Sequence, residues 1–548
     1  MPPTALPPSV KPDRRFVSEV QREQGRAGER HPPVSLDALM RRPLSARSLR
    51  MLVGGLAAGA LLIIGTSIAS RTWLPGFVLL ALILVGLLAY ATVRWPRPVI
   101  VLVVLSPILD RYVVAGLMPP RMATVTNNLS EGLLLGVGFI LAILAWRDGR
   151  LVEAFRYPST VAFIAFIAVA LLSALLNGVP ANIAAIGLIF TIDAAACFYL
   201  PRLVGFSLRD ALGAIGAIVA VIAVAAVIAL AQALLSPTLF GLSPVAGRFG
   251  EVYRLASIFG DPNVFGAFLI AAVPFLLLAA TRLSSRRLRW AAGAIAFIVM
   301  LALWLSFSRG SWVALIVGGG VILAILDRRA LALGIAVVVV SFLTAVTMPR
   351  DLLVPRAGSG TVVPEERPNL VDSTVDRVNA VREGQDLRTL FALNALPILR
   401  DHPVIGVGPG RYGGAVANTY PTPIYREYRT NVLFKDPTQR TIDNFWLHIL
   451  VEGGVAGFIA FLVAAMIPGL RILRSARHAI GWRRIVLGGI AAATAGLALS
   501  SVSTMLLEAN SVAFLFWFLL GVGSLLVRPP AHKQGDGDAA VEPLSEAG

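Results

Sequence analysis

Long apolar runs constrain this chain more than any other feature. Stretches of about 17 to 25 apolar residues each match the thickness of a hydrocarbon core. About fourteen such stretches recur, centred on 51–70, 73–93, 99–117, 129–146, 159–176, 181–200, 211–235, 262–281, 290–308, 311–326, 331–347, 444–466, 485–503 and 508–527. Inside lipid every backbone N–H and C=O must be satisfied within its own segment, so these runs read as helices. The expected fold is therefore all-α, a polytopic transmembrane helical bundle of about 12–14 spans. Composition agrees: 56% of residues are hydrophobic and 14% charged, where a soluble domain carries about 25%.

The basic residues order the runs. The net charge of +17 is carried almost wholly by arginine, and the arginines collect in alternate loops: Arg147, Arg150 and Arg156; Arg202 and Arg209; Arg282 to Arg289; Arg328 and Arg329; Arg471 to Arg484. Cytoplasmic loops are enriched in this way, so both termini are expected in the cytoplasm and nucleic acid is not an expected partner. Residues 1–50 read as a disordered basic cytoplasmic tail without a cleavable signal peptide. Residues 51–347 hold helices 1–11, 348–442 form an extracytoplasmic, partly helical loop domain, 443–528 hold helices 12–14, and 529–548 form a second disordered cytoplasmic tail. The absence of an internal repeat argues against a transporter built from duplicated halves. One cysteine, Cys197, allows no intramolecular disulfide.

Polar residues are costly at the rim of a membrane and usually have a partner or a function. RLASIFGDPN (254–263) places Arg254, Asp261 and Asn263 before the apolar run at 262–281. Asp261 suits an N-cap and Pro262 the first helical turn, which accounts for those two but not for Arg254 or the nearby Arg248. SFSRGSW (306–312) forms a tight turn on the same side, with Arg309 readable either as a snorkelling interfacial residue or as a phosphate ligand. Two guanidinium groups converging on one face suit a diphosphate, because each binds phosphate oxygens through two donors. TIDNFWLHILVEGGVAGF (441–458) re-enters the membrane with Asp443 and Asn444, which could cap the helix, and then with His448 and Glu452. His448 reads best as a satisfied interior histidine, and Glu452 equally as a packing partner for an arginine. Asp110, Arg111, Asp193 and Glu508 are taken as structural. No metal-ligand spacing and no nucleotide-binding loop at a helix start is present, so neither a metal nor a cofactor is expected.

Four segments occur in a telling order: R-x-x-S-I-F-G-D-P-N (254–263), S-R-G (308–310), Arg388 with LRDHPVIGVGPG (399–410), and D-N-x-x-L-x-x-x-x-E-x-G-x-x-G (443–457). Together they resemble the O-antigen ligase and polymerase superfamily over roughly residues 200 to 530. The resemblance implies a membrane glycosyltransferase of C-type architecture in the cytoplasmic membrane. It would act on the extracytoplasmic face with a polyprenyl-diphosphate-linked glycan as donor and a glycan or lipid-linked acceptor. Membrane lipid and a chain-length regulator protein are the further partners implied. Arg254 and Arg309 would bind the donor diphosphate and Asp443 would activate the acceptor hydroxyl. Asp261, Asn263, Arg388, Arg411, Asn444 and Glu452 would contribute to substrate binding. Ligases of the superfamily carry a histidine where Asp443 stands, and this departure favours a polymerase of oligosaccharide repeats over a ligase acting on lipid A core. A polysaccharide flippase is a rival from another class, disfavoured because the polar residues gather at one face instead of the midplane.

Overall fold

The computed structural model describes residues 74–109, 129–235, 245–246, 253–348, 374–375, 378–379, 382–384, 386–420, 422–434 and 442–527. The expected tails at 1–50 and 529–548, the run at 51–70, part of the run at 99–117, and Asp110, Arg111 and Arg248 lie outside these residues. The chain divides into two compact units, Met1–Trp95 and Pro96–Gly548. The described part of the first contains one apolar helix, α1 (Leu74–Arg94), with Arg94 in its last turn. Tyr90 meets Trp95 edge to face at 6.2 Å just beyond it.

The second unit is built from helices: α2 (Pro96–Leu109), α3 (Leu129–Arg147), α4 (Pro158–Leu176), α5 (Ala181–Ile192), α6 (Ala196–Val204), α7 (Leu208–Leu234), α8 (Pro262–Arg282), α9 (Arg286–Leu305), α10 (Arg309–Leu326), α11 (Arg328–Thr347), α12 (Leu387–Asp401), α13 (Phe445–His478), α14 (Gly481–Ser500) and α15 (Asn510–Leu526). Among the described residues ten helical segments are long and apolar enough to cross a membrane, α5 and α6 counting as one. The protein is a multi-pass membrane protein with the expected all-α helical bundle. The pair of runs between 290 and 326 is two helices joined by the three residues 306–308, and the span expected at 181–200 breaks at Asp193.

Burial sorts the helices into centre and rim. The most apolar windows of α8 and α14 are 78% and 72% buried, whereas that of α11 is 22% buried and faces lipid. Between apolar helices there is no water to expel, so close packing depends on small residues. Gly488 and Gly489 on α14 fill this role, since a Cβ at Gly488 would press on Leu278 of α8 and one at Gly489 on the ring of Phe275.

Helix α13 is broken at Gly454, whose φ of 60° and ψ of −169° are accessible to glycine at little cost. The break releases backbone groups that lipid could not satisfy, and the loop backbone takes them up on both sides. Val407 N donates to the Val451 carbonyl and Gly408 N to the Glu452 carbonyl, both at 3.0 Å, while Val455 N and Ala456 N donate to the Pro403 and Val404 carbonyls at 2.9 and 3.0 Å. Residues 403–408 thus cross the helix break as an inserted peptide. Ser173 and Asn177 at the end of α4 hold the other side, donating to the Gly406 carbonyl at 3.2 and 3.0 Å. The polar loop is thereby keyed into the bundle.

Candidate active site

The RLASIFGDPN segment is pinned before it reaches the site. Arg254 closes a two-residue antiparallel ladder, with β1 (Val245–Ala246) paired to β2 (Tyr253–Arg254). Leu255 N donates to Leu305 at the end of α9, and Ser257 Oγ donates to Ala225 on α7 at 2.7 Å. Asp261 then caps α8, accepting from Asn263 N at 2.7 Å and Val264 N at 3.1 Å, and Pro262 occupies the first turn. The capping expectation holds for Asp261 and Pro262, and it leaves Arg254 to be explained.

Arg254 reaches from this segment to the turn between α9 and α10. Its Nε donates to the Ser306 carbonyl at 3.2 Å, and Nη2 donates to the Phe307 carbonyl at 3.2 Å and to Asn263 Oδ1 at 2.9 Å. Phe307 adopts φ of 52°, a conformation that costs a bulky residue energy, and the turned carbonyls are the ones Arg254 takes up. A serine and asparagine chain backs the arrangement. Ser308 Oγ donates to Asn263 Oδ1 at 3.3 Å and lies 3.0 Å from Ser311 Oγ, which lies 3.3 Å from Ser500 Oγ on α14. Gly266 allows the approach, since a Cβ there would come 2.7 Å from Ser308 Cβ.

Arg309, Arg388 and Asp443 share the electrostatic surroundings of Arg254. Burial pushes the Arg254 guanidinium down to about 10; Asp261 and Asp443 oppose the fall, and the positive charges of Arg309 and Arg388 add to it. Arg254 stays charged at neutral pH. Arg388 lies in the first turn of α12, behind the Asp386 cap, and its Nη2 stands 3.3 Å from Asp443 Oδ2. Asn444 caps α13, accepting from Leu447 N at 3.1 Å. Asp261, Arg309, Arg388 and Asp443 are the charged side chains that act on Arg254, and Asp261 is engaged by helix amides.

The remaining two residues, Arg411 and Glu452, sit in a separate network at the glycine-rich turn. The buried Glu452 carboxylate accepts from Gly410 N at 2.9 Å and Tyr412 N at 2.7 Å. His448, also buried, contacts the Tyr412 carbonyl through Nδ1 at 2.5 Å and lies 3.7 Å from Glu452. Glu508 takes Ala415 N at 2.8 Å, and Arg411 donates to Gly178 at 3.3 Å. Sequence reasoning passed over Ser306, Phe307 and Ser308, whose contribution is mostly backbone, and left Glu508 without a partner. The acid just before the last apolar run was the signal available for Glu508.

Comparison with known proteins fits this geometry. Residues 294–462 match the family model described as O-antigen ligase. This stretch of the chain is similar to the O-antigen ligase and polymerase superfamily. The matched stretch includes Arg309, the whole loop segment with Arg388, Asp443 and the broken part of α13; Arg254, Asp261 and Asn263 lie before it. The chain is thus a membrane protein with an enzyme domain of ligase or polymerase type. No curated protein matches it.

Proposed function

We propose that the protein polymerises polyprenyl-diphosphate-linked oligosaccharide repeats at the extracytoplasmic face of the cytoplasmic membrane, with both termini in the cytoplasm. The observation that carries this reading is the Arg388–Asp443 pair, both members of which, with Arg309, act electrostatically on Arg254. Its chemistry matches transfer from a diphosphate-linked donor. An acceptor hydroxyl oxygen forms a bond to the anomeric carbon while the bond from that carbon to the diphosphate oxygen breaks. The hydroxyl proton passes to Asp443, and the leaving diphosphate carries away the electron pair. Preorganised guanidinium donors stabilise charge that develops on the leaving group. Arg254 is held rigidly for this by two carbonyls and Asn263, and Arg309 begins α10 next to it. Arg388 orients the Asp443 carboxylate from the loop domain, which would close over donor and acceptor. Glu452 and Arg411 serve the site through the turn they hold.

Transfer to a different acceptor, as a ligase would perform it, uses the same centre, and the description of the matching family favours it. Purified protein supplied with a lipid-linked repeat separates the two. A ladder of lengthening glycans with the repeat alone is the polymerase result. Product formed only after a second acceptor is added is the ligase result.

A further inference from the structure

On the membrane face opposite Arg254, reached through α7, two arginines share one aromatic ring. The Arg202 guanidinium lies over Tyr157 at 4.7 Å and over Phe198 at 5.7 Å, and that of Arg471 lies over Tyr157 at 5.3 Å. Arg202 is held in place by donating from Nε to Ala154 at 2.9 Å and from Nη1 to Ser524 Oγ at 2.9 Å. Arg471 is exposed on α13. Among the described residues neither is in an ion pair. The exposed carboxylate of Glu153 acts on Arg202 from beyond ion-pair range.

The Tyr157 side chain completes the argument. It is 9% exposed, and its buried hydroxyl has no hydrogen-bond acceptor. The neighbouring Arg471 can only donate, so it cannot take the hydroxyl proton. The hydroxyl oxygen can accept from Arg471, but the hydroxyl proton has no acceptor among the described residues, a costly state for a buried donor. Ring quadrupoles offset part of the repulsion between the two cations, and an anion with several acceptor oxygens would remove the rest. The surroundings are apolar and outward-facing: Val152, Phe155 and Leu470 are 63%, 41% and 43% exposed, as expected beside acyl chains.

We propose that Tyr157, Arg202 and Arg471 bind the phosphate of an anionic phospholipid headgroup in the leaflet opposite the candidate active site. The lipid is the source because the site opens between helices beside exposed apolar side chains. The probe is the full chain in nanodiscs of phosphatidylcholine with increasing phosphatidylglycerol, read by lipid retention in native mass spectrometry. The wild-type chain should retain phosphatidylglycerol selectively. Arg471→Ala, which breaks no hydrogen bond that holds the fold, should weaken retention about fivefold, the effect of one arginine at a charged surface. Tyr157→Phe keeps the ring and should weaken it too, while Glu153→Gln should strengthen it. Equal retention in wild type and both weakened variants would overturn the proposal. Displacement by glycerol 3-phosphate or inorganic phosphate at the concentration of the lipid would also overturn it, in favour of a soluble phosphate compound.

Discussion

Arg388 Nη2 and Asp443 Oδ2 stand 3.3 Å apart, joining the first turn of α12 in the polar loop to the entrance of α13. Both side chains are only partly covered, so the pair adds little stability; its value lies in aiming the carboxylate. Asp443→Asn keeps shape and hydrogen bonding but cannot take a proton, and should lower turnover about 10² to 10⁴-fold. Arg388→Ala should cost less in kcat and leave the protein's melting temperature within about 1 °C. Kinetics on purified variants checks both, and a fully active Asp443→Asn protein would remove the base.

Arg254 and Arg309 should separate structure from chemistry. Arg254→Ala leaves the Ser306 carbonyl without its donor, whereas the Phe307 carbonyl keeps Arg309 N and Asn263 keeps Ser308 Oγ; one buried group left unpaired costs about 1–3 kcal/mol. The variant's melting temperature should fall along with activity. Arg309→Lys keeps the charge but loses the planar fork, and should retain stability while losing about 10² in kcat. Thermal unfolding and turnover measured on one preparation test the contrast.

Arg254 also predicts a pH signature. Its pKa is lowered in the folded state, mainly by burial, to about 10. A base lowered in this way destabilises the fold while it is charged, and the penalty is relieved as pH rises from about 10 towards the unfolded value. On the proposed reading activity carries the opposite sign, because the charged form would bind the diphosphate, so wild-type activity should hold to about pH 9 and fall near 10. In Arg254→Lys the same burial acts on a group that starts near 10.4. Its residual activity should therefore fall by about pH 8. Identical high-pH limbs in the two proteins would show that Arg254 carries no charge the reaction needs.

The glycine-rich turn should fail locally. Glu452→Ala exposes no new charge but strands the amides of Gly410 and Tyr412, each bonded to a buried carboxylate. Charge-assisted bonds of this kind are worth about 1.5–3 kcal/mol each. Hydrogen exchange at residues 406–415 should speed up strongly while that of α8 and α14 stays slow. Uniformly faster exchange throughout the bundle would mean that Glu452 serves global packing instead.

Much of the bundle was legible in the sequence because lipid leaves few options: a run such as 262–281 has to be a helix, and GDPN marks its cap. Local chemistry gave Asp261 and Pro262 their roles directly. What could not be read was how distant backbone meets. Nothing in EGGVAG says that α13 breaks at Gly454 so that residues 403–408 can insert, since that pairing joins segments about fifty residues apart. The Arg254 contacts were hidden for the same reason, because two of its three acceptors are carbonyls whose direction depends on the conformation of Phe307. The second arginine pair, Arg202 and Arg471, looked like two more topology markers until folding placed them on one ring.

The central claim is that Arg254, Arg309, Arg388 and Asp443 form one centre that transfers a glycan from a polyprenyl diphosphate. Its most direct test is release of polyprenyl diphosphate from a lipid-linked repeat by the purified protein in liposomes, for wild type, Asp443→Asn and Arg309→Ala. The account predicts release matched one for one by glycan transfer in the wild type, and release reduced by at least about 10² in both variants. Wild-type release by properly inserted Asp443→Asn and Arg309→Ala proteins would contradict it.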